Sequence, residues 1–315
     1  MSSLRLGLVA LAGLAWFLLL PDYRTLGINL LLLAAWASAW DLLGGWSGQT
    51  SLGHAAFVGL GAYTVAVTST RWDLAPWWGA LLAMALAALL ALLWGKLTFR
   101  LRGSYFVLAS IAVAEILRLV AINERELTGG AVGLFIFDLK EPFGLDLFDR
   151  GVEFWLALGY LVLVLAIAAF VTRGRLGYQM RAVREDEPSA EAAGINPEAV
   201  KLWAFAISGG LTALGGCLYG IVLSALQPQP LFEIHLSVRI ALVAIIGGRG
   251  TLLGPLVGAA LITVAAELFR NVFAEANLLI YGALIVIVVL FAPSGILGEV
   301  HRWTVRRRYA RGARG

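Results

Sequence analysis

The chain has 315 residues, 60% of them hydrophobic and only 14% charged, with a mean hydropathy of +0.84. A soluble protein of this length keeps much of its surface in water and cannot hide that much apolar side chain. The composition therefore excludes a cytosolic enzyme, a secreted domain and a disordered chain, and makes lipid the solvent. A single cysteine, Cys217, excludes a disulfide framework and a cysteine-rich metal site. The net charge of +4 is small, and where the charges lie is more informative.

In chain order, apolar stretches cover residues 4–20, 26–40, 54–70, 77–97, 105–122, 152–171, 203–226, 238–247, 256–271 and 278–297. A bilayer core of about 30 Å takes roughly 20 residues of helix. The first stretch follows Arg5 as a signal peptide would. Pro21-Asp22-Tyr23-Arg24 offers no small-residue cleavage site, so it is read as a retained helix. Arg302, Arg306, Arg307, Arg308, Arg311 and Arg314 place the C-terminal tail in the cytoplasm. Counting back, Arg173, Arg175, Arg181, Arg184 and Lys201 fall on the same side, as do Lys96, Arg100, Arg102 and Arg5. Only Arg24, Arg71, Arg125, Lys140 and Arg150 fall outside, and Arg118, Arg239, Arg249 and Arg270 sit at or near membrane depth. The expectation is an all-α polytopic membrane protein with cytoplasmic termini. It has about 8 full spans plus a re-entrant hairpin over 238–271, or about 10 spans in all. One transmembrane domain covers 1–300 and a basic tail covers 301–315, where lipid contact and topology explain the arginines better than nucleic acid does.

Two places break the helical pattern. One runs through Gly44, Gly45, Gly48, Gln49, Ser51, Gly53 and His54, the other through Gly247, Gly248, Gly250 and Gly254. Non-helical backbone at membrane depth survives only where protein or a water-filled cavity covers it, and interrupted segments in both halves of a transporter point to its pathway. These glycines are accordingly candidate pathway residues, with close helix packing the alternative, above all for Gly53, Gly59 and Gly61. Glu115 with Arg118 and Glu267 with Arg270 repeat one i, i+3 pattern near the outer ends of their helices, reading as an external vestibule or as snorkelling interfacial pairs.

The segment 173–201 is polar and cytoplasmic by charge. Ser189 is expected to cap a short helix at its start and Gly194 at its end, giving either a docking element or a plain connector. The chain lacks the pattern G-x-x-x-x-G-K-[ST], so it carries no ATPase of its own, and its three histidines show no ligand spacing. No paired carboxylate or Ser/His/Asp set stands out. A secondary transporter would need a central ion site, and an intramembrane enzyme a catalytic constellation.

Glu191-Ala192-Ala193-Gly194 resembles the coupling loop of ABC importer permeases. Gly48-Gln-Thr-Ser-Leu-Gly-His-Ala-Ala-Phe57, Tyr105-Phe106, Thr128-Gly129-Gly130, Gly247-Gly-Arg-Gly-Thr251 and Phe291-Ala-Pro-Ser-Gly-Ile-Leu-Gly298 narrow the resemblance to permeases of branched-chain amino acid importers, of the LivM type rather than the LivH type. The likeness runs from about residue 26 to 300. Ser104 and Arg249 depart from the pattern, and urea and short-amide permeases share most of it. The resemblance implies a bacterial inner-membrane subunit without enzymatic activity, paired with a second, LivH-type permease. It implies two ATPase subunits (LivG/LivF-type) that hold ATP and Mg, and a periplasmic substrate-binding protein. It also implies that Glu191, Ala192, Ala193 and Gly194 meet the ATPase, and adds Gly129 and Gly130 to the pathway candidates.

Overall fold

A computed structural model describes residues 2–99, 103–137, 139–140, 144–272 and 295–298. Residues 278–294 of the expected last span, the tail 301–315, Arg100, Arg102 and the Arg270 side chain lie outside what it describes. Helices follow in the order α1 Ser2–Leu19, α2 Arg24–Asp41, α3 His54–Arg71, α4 Pro76–Thr98, α5 Ser104–Asn123, α6 Arg125–Thr128, α7 Arg150–Arg173, α8 Arg175–Glu185, α9 Glu187–Ala192, α10 Pro197–Leu223, α11 Pro228–Phe232, α12 Ile234–Gly247 and α13 Gly254–Val272. The one sheet among the described residues pairs β1 Leu134–Phe135 with β2 Ala225–Leu226, antiparallel. An all-α architecture thus holds apart from this clasp.

Among the described residues, six stretches are long and apolar enough to cross a membrane: Pro21–Trp46, α4, α5, α7, α10 and Pro228–Gly247. The apolar parts of α1 and α13, Leu6–Leu19 and Gly254–Leu268, are shorter. The stretch 238–271 is a helical hairpin of unequal arms. The 14 residues of α12 reach about 21 Å and the 19 of α13 about 28 Å.

The helices α2, α3 and α10 form the centre, and α4 and α5 the outer wall. In the Pro21–Trp46 span 89% of the most apolar window is buried within the protein, against 22% in α5. Apolar residues all round a helix drive no association in lipid, so small residues decide which helices meet. A Cβ at Gly61 would lie 2.0 Å from the Ala213 carbonyl oxygen, and one at Gly216 would lie 2.3 Å from that of Val58. The backbones of α3 and α10 therefore touch, and Cys217 Sγ donates to the Gly61 carbonyl at 3.2 Å. The two longest of the described helices start at built caps. Asp149 accepts from the Gly151 and Val152 amides at α7, and Asn196 accepts from the Ala199 amide ahead of Pro197 at α10.

Candidate functional site

The two glycine-rich breaks meet at the end of the bundle that carries α8 and α9. After Asp41, α2 widens into a π-helical turn, Leu42–Trp46. The turn is possible because Gly44 and Gly45 leave room for the Trp40 ring and the Asp41 carboxylate, which a Cβ on either glycine would strike. Asp41 is buried, and both its oxygens accept from the Gly250 amide at 3.0 Å, across from the α12–α13 turn. Arg184, on α8, donates from Nη1 to the Gly45 carbonyl at 2.7 Å. Gly48, with φ +78°, packs on the Arg184 side chain, and a Cβ on Gly250 would lie 2.7 Å from Arg184 Nη1. Arg181 of α8 lies over the rings of Trp46 and Tyr178. One arginine on the polar segment thus touches both breaks, and Asp41 ties the breaks to each other.

The rest of the first break is bonded to four helices. Trp40 Nε1 on α2 donates to the Ser51 carbonyl at 2.7 Å, and Ser110 on α5 accepts from the Leu52 amide at 2.9 Å. Ser237 on α12 accepts from the Ala55 amide at 2.8 Å. His54 is fully buried among Trp40, Phe57 and Phe205, with Nε2 2.9 Å from Ser208 Oγ on α10 and Nδ1 3.2 Å from Ser51 Oγ. Ser208 donates its own hydroxyl to the Ala39 carbonyl at 2.6 Å, so it accepts from His54. That assignment puts the imidazole proton on Nε2 and leaves Nδ1 to accept from Ser51. Ser51 and His54 serve here as struts between helices. Gly53 faces the Trp94 ring and the Ser110 carbonyl.

The segment after α8 is a built corner. Asp186, not Ser189, caps α9: its carboxylate accepts from the Ser189 amide at 2.8 Å. The sequence pattern puts the cap three residues late because Pro188, which needs no amide partner, sits inside the first turn. Hydrogen bonds from the Ser189 hydroxyl and amide hold the Asp186 carboxyl below the usual carboxylate range. Gly194 closes the helix with φ +82°, its amide donating to the Glu191 carbonyl at 2.9 Å. Lys201, buried on α10, donates to Glu187 at 2.8 Å and so pins α9 to α10. Glu191, Ala192, Ala193 and Gly194 are all exposed.

Gly129 and Gly130 lie elsewhere, in a positive-φ turn after α6 beside the β clasp, and the structure does not bring them to the junction. Gly247 and Gly254 touch backbone to backbone, and Gly248 turns the chain at φ +125°. Glu115 and Arg118 form an exposed pair at 2.5 Å, and Arg118 also donates to Gln229 at 2.7 Å. Glu267 lines a cavity of about 390 Å³ between α2, α10, α12 and α13, together with Asn29, Trp36, Tyr219, Arg239 and Thr263. Asp41, Arg184 and Ser208 are site residues that sequence reasoning does not single out. A lone carboxylate closing an apolar helix is the available signal for Asp41. Nothing local marks Ser208.

Residues 25–289 match the family model described as branched-chain amino acid transport system / permease component. The chain is 30% identical over 276 residues to the high-affinity branched-chain amino acid transport system permease protein LivM of Escherichia coli K12, covering 80% of this chain and 64% of that protein. It is 28% identical over 168 residues to LivH of Salmonella typhimurium, 53% of each chain, and 30% identical over 140 residues to BraD of Pseudomonas aeruginosa, 44% of this chain and 45% of that one. It thus spans a little under two thirds of the LivM protein. No solved structure matches.

Proposed function

The chain belongs to the branched-chain amino acid transport permeases, and from that premise we propose that it is a membrane-spanning, non-catalytic subunit of an ATP-driven importer of aliphatic amino acids. In this reading it sits in a bacterial inner membrane beside a second, LivH-type permease. An external binding protein delivers the amino acid. Two ATPase subunits, which hold the ATP and Mg, dock on the exposed Glu191–Gly194 corner. The observation that carries the reading is the junction itself: Arg184, in the same polar segment as the corner, bonds the Gly45 carbonyl and packs on Gly48 and Gly250.

The arrangement converts a push into a change at the breaks. Because α9 is pinned to α10 through Lys201 and Glu187, a load on the corner is carried into α8 and α10 together. Movement of α8 pulls Arg184 against Gly45. The Asp41–Gly250 bonds then transmit it from the α2–α3 hairpin to the α12–α13 hairpin. Such a two-state element needs only a few kcal/mol of bias.

Arg184→Gln tests the relay in the assembled transporter. A charge-assisted bond is worth about 1.5–3 kcal/mol, so ATP-driven leucine uptake should fall roughly tenfold or more while the ATPase subunits still co-purify. Full uptake by this variant refutes the relay.

A further inference from the structure

We propose that the cavity between α2, α10, α12 and α13 is a transit site for an aliphatic amino acid, with Arg239 receiving its carboxylate. The proposal rests on the permease reading above and assigns it a binding site.

Depth is the first argument. Arg239 lies eight residues before the Gly247 turn, Asn29 twelve before Asp41 and Glu267 thirteen after Gly254. At 1.5 Å per residue these stand about 12, 18 and 20 Å above the junction, so that Arg239 lies near the middle of a core of about 30 Å. Arg239 is exposed there and has no ion-pair partner among the described residues. An arginine at that depth is costly against lipid, so this face meets water, protein or a polar ligand. A guanidinium presents a planar fork that fits a carboxylate with two parallel bonds, which urea and amides cannot match.

Shape and lining agree. About 390 Å³ falls within the usual range of small-molecule pockets, roughly 300–1,000 Å³. Leu32 and Leu236 line the wall, where an aliphatic side chain would lie. Thr263 in the same wall is buried with its hydroxyl unpartnered, whereas Thr64, Thr68, Thr172 and Thr212 each donate to a carbonyl one turn back.

The test uses the assembled transporter in proteoliposomes, with Leu236→Cys in a Cys217→Ala background and a charged methanethiosulfonate reagent applied during ATP-driven turnover. L-leucine should slow labelling, whereas leucinamide and isoamylamine, which lack the carboxylate, should not. Adding Arg239→Gln should abolish the protection and lower leucine uptake roughly tenfold to a hundredfold, the loss expected for a charge-assisted bond. Arg239→Lys should restore most of both. Leucine uptake without protection of the cysteine, or unchanged uptake by Arg239→Gln, overturns the proposal. Separation of the two permeases by Arg239→Gln also overturns it, and makes this face a subunit contact. If the unaltered complex moves no leucine at all, the permease reading fails and takes the transit site down with it.

Discussion

The two glycine-rich hairpins look alike in composition but are held in different ways. In the first, between α2 and α3, the glycines make room mainly for side chains, Trp40 over Gly44, Asp41 over Gly45 and Trp94 over Gly53, with the Gly250 amide and the Ser110 carbonyl also close to the last two. The turn is then fixed by side-chain bonds to α2, α5, α10 and α12. In the second, between α12 and α13, the glycines let backbone meet backbone. A Cβ on Gly247 would lie 1.8 Å from the Gly254 carbonyl oxygen, and one on Gly258 2.0 Å from that of Val243. A polar lattice can be weakened one bond at a time. A backbone contact fails as a whole.

The sharpest way to break this contrast is Gly247→Val. No rotamer removes a clash with backbone, so a loss of at least about 3 kcal/mol is expected, read as a lowered thermal midpoint in detergent. Gly48→Ala in the first hairpin meets only the Arg184 side chain and should cost about 1–2 kcal/mol from its positive φ alone. Equal losses would mean the hairpins are held alike.

His54→Ala comes next. It empties a fully buried ring site and strands Ser51 and Ser208, for about 2–4 kcal/mol by the same measurement. Ser51→Ala removes only one of those bonds and should cost about 1 kcal/mol. A His54→Ala protein as stable as its parent would show that packing alone fixes the first hairpin.

The smallest effect is expected at the exposed corner, which neither hairpin supports directly. Nothing lies within 4 Å of a Cβ on Gly194, so Gly194→Ala should cost about 1 kcal/mol through its φ of +82°. The Asp186 cap adds a pH dependence. A carboxyl whose folded pKa is lowered stabilises α9 above its unfolded pKa, and that contribution disappears as pH falls through the lowered folded value. The protection factor for amide exchange at Ser189 should therefore fall in acid, and Asp186→Asn should remove that response.

Much of the fold and part of the site can be read from the amino acids alone. The apolar stretches, the helical corner ending at Gly194 and the two breaks follow from local rules, because hydropathy, caps and glycine act within a few residues of themselves. The echo between Ala114–Val120 and Ala266–Val272 is legible too, and the Arg270 side chain of its second copy lies outside what the structure describes. The Glu115 copy pairs with its own arginine, and Glu267 lines a cavity together with Arg239, which comes from another helix.

The sequence by itself determined that the chain lives in lipid, roughly where it crosses, and where its long polar segment lies. Tertiary structure alone decided that Asp41 reaches Gly250 across 209 positions, that Arg184 reaches Gly45 across 139, and that His54 braces α10 through Ser208 across 154. The physical reason is that a buried hydrogen bond is specified by both ends. Each end seen alone is only a polar residue in an apolar run, and its partner depends on which helices the small residues allow to touch.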